Sequence, residues 1–252
     1  YLTPEHIPFK DQTSIDAYEA EQDWWKNPRN IKEITDNLDS VDHLYVTGGE
    51  PTINPMFHSI LEHLHSQGRT SEVSIEVNTN GTNLNQSFKD LIQPFKKTVL
   101  FSIDGWGELN NAMRYPTKFS AVEKNLLAYS SIDSGLGDEV IVTPTVCVFN
   151  FFKLVPLLDW CMYNRIRVTE KLNVLNRPAW QSVAQFPPDL LQQGLDSLEY
   201  SGYSHHANTI SSRIQGESYV KDPLLSWEDT LQRTTQWFNS RGFDPAITGM
   251  YQ

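Results

Sequence analysis

The sequence predicts an α/β protein in which parallel strands alternate with helices. Three observations predict it. Short apolar runs recur along the first two-thirds of the chain. Between successive runs the apolar residues switch to helical spacing. Each run then leaves into a polar or glycine-rich stretch. Such alternation gives a parallel sheet with right-handed crossovers, either an open doubly wound sheet or part of a barrel.

The elements follow in order. A helix carrying Ile31, Ile34 and Leu38 precedes the strand HLYVT (43–47). Phe57, Ile60, Leu61 and Leu64 fall at i, i+3, i+4 and i+7 and mark an amphipathic helix that Gly68 ends. Strand VSIEV (73–77) follows, then a helix with Phe88, Leu91, Ile92 and Phe95. Strand TVLFSI (98–103) leads to a helix with Phe119, Val122, Leu126 and Tyr129. Strand VIVTPTVCV (140–148) leads to a helix with Leu154, Leu157, Leu158 and Cys161. Strand RVTEKLNVL (167–175) closes the alternation. NRPAWQSVAQFPP is irregular, and helices are expected over 188–200, 205–216 and 226–241. The first helix has no strand before it, so the alternation starts one strand short.

Composition bounds the function. The 252 residues suffice for one large domain or two small ones, with 39% hydrophobic residues. A formal charge of −11 repels phosphate backbones and disfavours general nucleic-acid binding. No apolar run reaches the roughly 18–20 residues of a membrane span, and no signal peptide is visible. Residue 1 is Tyr, so the sequence need not begin where its gene does. Two cysteines, Cys147 and Cys161, make neither a disulfide framework nor CxxC. A reducing cytoplasm is the expected compartment.

Ligands of parallel α/β folds meet the carboxyl ends of the strands. Here those ends read TGGEPT (47–52), NTNGT (78–82), SIDGWG (102–107), VFN (148–150) and NVLNRP (173–178). Gly48 and Gly49 let backbone approach a ligand, and their carbonyls with the Glu50 carboxylate suit an ammonium group. Asn78 and Asn80 offer amide donors and acceptors, and Ser102 and Asp104 suit a sugar diol. Each loop taken alone reads equally as a turn; their succession is what points to a ligand with an amine at one end and a ribose at the other.

LYVTGGEPT, then NTNGT, then FSIDGWGELNNAMRYPTKFSAVEKNL, together with DWWKNP (23–28) and the segment Trp237–Gly242, resemble the radical S-adenosylmethionine (SAM) proteins. The likeness is greatest to twitch-domain members of phage and environmental origin, over most of residues 20–178. The resemblance implies a partial (β/α)6 TIM-like barrel over 1–178, with a helical extension over 179–252. It implies that Gly48, Gly49 and Glu50 bind the amino group of S-adenosyl-L-methionine. It places Asn78 and Asn80 near that ligand, Ser102 and Asp104 at its ribose or carboxylate, and Asn150 and the Val174 backbone near its adenine. Arg114 is a partner for the methionine carboxylate or a structural salt bridge.

The family's chemistry needs a CxxxCxxC loop whose thiolates hold a [4Fe–4S] cluster. The sequence has no such loop; Cys147 lies in a strand and Cys161 on an apolar helix face, as core thiols. The missing loop and missing strand belong at one place, upstream of residue 1. The expectation is a fragment of a longer enzyme whose upstream cysteines carry the cluster. Such an enzyme would take an electron from a flavodoxin or ferredoxin, cleave SAM to a 5′-deoxyadenosyl radical and modify a peptide or small molecule. The alternative is a cluster-less barrel that binds a ligand or partner without catalysis. No GxGxxG or Walker loop is present. His58, Glu62 and His65 share a helix side but not HExxH spacing, and His205-His206 is expected at the surface. Trp24-Trp25 is expected as a packing anchor, and Trp106 at a site mouth or in the core.

Overall fold

The computed structural model describes residues 24–83, 85–130, 137–216 and 221–251, with Trp25 described by its backbone alone. Beside strand 43–47 the sequence predicts either an open edge or an extended segment from residues 1–12, and that segment lies outside the described residues.

Capping signals start the first three helices. Asn27 accepts from Arg29 N and Pro28 opens α1 (Pro28–Thr35). Asn54 accepts from Met56 N and Phe57 N ahead of Pro55, which opens α2 (Pro55–Ser66). Asn85 caps α3 (Gln86–Ile92) through Phe88 N. In each, a side-chain oxygen satisfies an amide that the first turn leaves unpaired. Between them run β1 (His43–Val46) and β2 (Ser74–Thr79). They are followed by β3 (Lys96–Phe101), α4 (Glu108–Met113), α5 (Phe119–Tyr129) and β4 (Glu139–Val142). Then come β5 (Thr145–Val146), α6 (Leu154–Tyr163), β6 (Arg167–Val168) and β7 (Asn173–Val174). The C-terminal part adds α7 (Pro188–Tyr200), α8 (Ser204–Gln215) and α9 (Trp227–Asn239).

All recorded strand pairs are parallel, so the α/β class and the partial-barrel reading hold. The main sheet has the order β1-β2-β3-β4-β6, with β1 at its edge among the described residues. One expectation is corrected. The runs 140–148 and 167–175 are not single strands; each breaks in two, and β5 pairs with β7 in a separate two-stranded sheet. Pro144 sits at the first break and has no N–H to give to a ladder. The next amide, Thr145 N, donates 2.8 Å to the Asp104 carboxylate instead. The six-residue helix α4 was not anticipated either. Its Asn110 is buried and accepts from Asp104 N, and Asn111 accepts from Phe119 N at the start of α5.

Alternation along β2 sorts the two faces of the sheet. Ile75, Val77 and Thr79 are buried, whereas Ser74, Glu76 and Asn78 are half-exposed. The buried face joins Phe57, Leu61, Phe88, Phe101, Val122 and Leu126 in a first core. The register sets Tyr45, Glu76, Thr98 and Glu139 side by side on the other face. One step toward the carboxyl ends, Asn78, Leu100, Ile141 and Arg167 are aligned likewise. Arg167 pairs with Glu139. A parallel sheet packed on both faces carries near-continuous apolar runs; the second face of this one mixes polar and charged residues with Tyr45, Leu100 and Ile141.

A second core draws Val146, Val148, Phe149 and Val174 from the end of the strand region. It draws Leu195, Leu198, Ile210 and Phe238 from the helices beyond residue 178. Phe149 is its centre, with ring centroids 4.7 Å from Trp237, 5.2 Å from Phe238 and 5.6 Å from Trp180.

Candidate functional site

Two glycines with positive φ, Gly48 (+91°) and Gly49 (+58°), follow β1. Both are exposed, and a Cβ at either would meet nothing within 4 Å. Left-handed backbone, not crowding, therefore demands glycine here. The turn leaves consecutive peptide groups open at the rim of the sheet.

Glu50 fastens that turn. Its Oε1 accepts from Thr52 Oγ1 (2.6 Å), Thr79 Oγ1 (2.7 Å) and Thr52 N (3.2 Å). Its Oε2 accepts from Asn80 N (2.8 Å). Thr79 is 2% exposed and also accepts from Gly81 N. The carboxylate thus welds the loop after β1 to the end of β2. Four donors from three residues hold the carboxylate, beside the exposed peptide groups of Gly48 and Gly49. Thr52 and Thr79 were missed as functional residues. A signal existed for Thr52 alone, since a Thr two residues after a carboxylate fits a local side-chain-to-backbone turn; Thr79 lies 29 residues away.

Neighbouring strand ends continue the rim. Ser102 N donates to Thr79 O, Thr143 N to Phe101 O and Thr169 N to Val142 O. Asn80, half-buried, curls its Oδ1 onto Thr82 N and Thr82 Oγ1. Asn78 donates to the hydroxyl of Tyr45 (2.8 Å), a further residue that sequence reading passed over. The main sheet thus brings Gly48, Gly49, Glu50, Asn78, Asn80 and Ser102 to one edge.

Asp104, Arg114 and Asn150 form a hydrogen-bonded cluster in which Arg114 is the most exposed member. Asp104 is 6% exposed; Oδ1 accepts from Thr145 N and Oδ2 from Arg114 Nε at 2.6 Å. Asn150 is fully buried, donates to Asp104 O and Thr145 O, and accepts from Cys147 N. These side chains brace the loops after β3 and β4. Of the two alternatives for Arg114, the structure has the salt bridge. Val174 is buried in the second core, in β7 beside Val146.

The other singled-out residues are structural. His58 Nε2 lies 3.1 Å from Thr52 O, and its ring stacks on Phe88. Among the described residues no group of three or more His, Cys, Asp and Glu could hold a metal ion. His205 is exposed, whereas His206 is half-buried, a correction to the expected surface pair. Trp24 is 49% exposed and lines a groove with Ile34 and Leu38, so it is not a buried anchor; the Trp25 side chain lies outside the described residues. Cys147 and Cys161 are buried in different cores, and burial pushes each thiol up to about 12. Neither should react with a thiol reagent at pH 8 in the folded chain, and both should react in denaturant. Fast labelling of the native protein would contradict their burial.

The model of the radical SAM superfamily matches residues 12–145, more than half of the chain. The chain belongs to the radical SAM superfamily. Among solved structures, this radical SAM chain is similar to native anSMEcpe with bound AdoMet. Identity is 18% over 71% of this chain and 50% of that one, with a TM-score of 0.47. It is similar to SuiB of Streptococcus suis bound to S-adenosylmethionine, at 14% identity over 68% and 35% of the chains, TM-score 0.41. For SuiB bound to its precursor peptide SuiA the values are 16%, 76%, 39% and 0.45. The chain spans half or less of the length of these proteins. No curated protein matches it. No helix among the described residues is long and apolar enough to cross a membrane.

The family's cluster does not fit the residues present. Two cysteines in separate cores cannot supply three converging thiolates. No chemical step through a cluster is therefore assigned to these residues.

Proposed function

We propose that the carboxyl-end rim is the S-adenosyl-L-methionine site of a radical SAM enzyme. The observation that carries this reading is the Glu50 weld, which fixes two exposed left-handed glycines beside Asn80 and Ser102. Main-chain carbonyls of Gly48 and Gly49, with the Glu50 carboxylate, take the ammonium of the methionine moiety. Asn78, Asn80 and Ser102 supply polar contacts along the ligand. Asp104, Arg114 and Asn150 hold the neighbouring loops in place, and the Val174 strand closes the far end near the adenine. Radical formation belongs to a longer form with a thiolate loop, supplied with electrons by a flavodoxin or ferredoxin and acting on a peptide or small molecule in the cytoplasm. The twitch-domain and phage affinities are part of this reading, as is the division at residue 178.

Calorimetry with S-adenosyl-L-methionine tests the rim. Glu50→Gln sets an amide N–H2 against one of the carboxylate's donors and loosens the loop. It also removes the charge that Glu50 offers the ligand ammonium; a charge-assisted hydrogen bond is worth about 1.5–3 kcal/mol, so binding should weaken roughly 10- to 150-fold. Unchanged affinity would refute the role of the loop. Anaerobic reconstitution of the 252-residue chain should give no stoichiometric iron or sulfide, and a cluster there would overturn the assignment of both cysteines.

A further inference from the structure

A cavity of about 360 Å³ lies where the loops after β3 and β5 meet the C-terminal turn Pro245–Thr248. It is lined by Trp106, Gly107, Glu108, Leu109, Lys153, Pro156 and Ile247. None of these is a rim residue of the SAM reading, so the two can fail separately. The volume is at the small end for ligand pockets and matches a molecule of one or two rings.

Its chemistry is specific. The indole of Trp106 is 51% exposed although it is large and apolar. Leu109, Pro156 and Ile247 add apolar walls. Lys153 brings a cation: a Cβ at position 249 would come within 2.9 Å of its Cε, so Gly249 leaves room for the lysine stem. Glu108 brings an anion. The two charges face one cavity without forming an ion pair with each other or with another described residue. A flat apolar surface with one free cation and one free anion is complementary to a zwitterion that has an apolar ring.

We propose that this cavity binds a free α-amino acid with an aromatic side chain. The ring lies on Trp106, the carboxylate meets Lys153 and the ammonium meets Glu108. A peptide terminus presents only one of the two charges and leaves the other pocket charge unpaired, which favours the free amino acid.

L-Phenylalanine, 3-phenylpropionate and 2-phenylethylamine are titrated into the chain and followed by saturation-transfer NMR. L-Phenylalanine should bind saturably, and each half-charged analogue about tenfold more weakly, the low end for a charge-assisted hydrogen bond. Lys153→Met should make L-phenylalanine and 2-phenylethylamine bind alike. Glu108→Gln should do the same for L-phenylalanine and 3-phenylpropionate. Trp106→Ala should weaken all three. Binding should persist in Glu50→Gln and in the presence of S-adenosyl-L-methionine. No saturable binding of L-phenylalanine overturns the proposal. So does 3-phenylpropionate binding equally well, which points to a peptide carboxyl terminus, or displacement by S-adenosyl-L-methionine.

Discussion

Asp138→Ala should be among the most destabilising single substitutions in this chain, at about 3–5 kcal/mol, the usual cost of leaving a buried charge without its partner. Lys97 is 2% exposed, and its ammonium lies 2.5 Å from Asp138 Oδ2. The other carboxylate oxygen accepts from Lys97 N, so one side chain satisfies both the charge and the backbone where β3 begins. The remaining acceptors near the ammonium, Gln93 O and Phe95 O, are both 3.4 Å away and neutral. Urea unfolding of the wild type and the variant measures the loss. Lys97→Met combined with Asp138→Asn should recover most of it, because a well-packed neutral pair often matches a buried ion pair. A single variant as stable as the wild type would show that Lys97 reaches solvent.

Gly81→Ala should cost about 2–5 kcal/mol through two additive effects. Gly81 has φ +72°, and left-handed backbone costs an L residue about 1–2 kcal/mol. A Cβ there would also lie 2.8 Å from Phe101 and 2.9 Å from Val122, both fully packed, and such overpacking costs about 1–3 kcal/mol. Gly68→Ala separates the two contributions. That glycine has φ +71° but nothing within 4 Å of its Cβ, so only the conformational part should appear. Equal losses at the two positions would show that Phe101 and Val122 yield freely. Gly81 O accepts from Asn125, so the larger loss should be accompanied by a loosened α5.

The expected helices over 188–200, 205–216 and 226–241 correspond closely to α7, α8 and α9. The parallel class was legible because apolar spacing reports directly which face of an element is buried. Phe57, Ile60, Leu61 and Leu64 were read as one helical face and are all buried. The short helix α4 was less legible: Asn110 is buried there by a bond to Asp104 N, a contact that spacing does not encode.

At the site, local sequence determined the conformation and the fold determined the partners. Gly48-Gly49 after an apolar run specifies an open left-handed turn, because only glycine takes that backbone without penalty. What the adjacent carboxylate does was decided 29 residues away, where β2 brings Thr79 and Asn80 alongside Glu50. Likewise Asp104 follows its strand as a ligand residue would, but the β3–β4 pairing delivers Thr145 N, and α4 delivers Arg114, to its two oxygens. The chain by itself therefore determined which elements form and which loops gather at the carboxyl ends, since periodicity and glycine content are local properties. Only the tertiary structure decided which donors each carboxylate holds, because a carboxylate bonds to whichever donors strand pairing sets within about 3 Å of it.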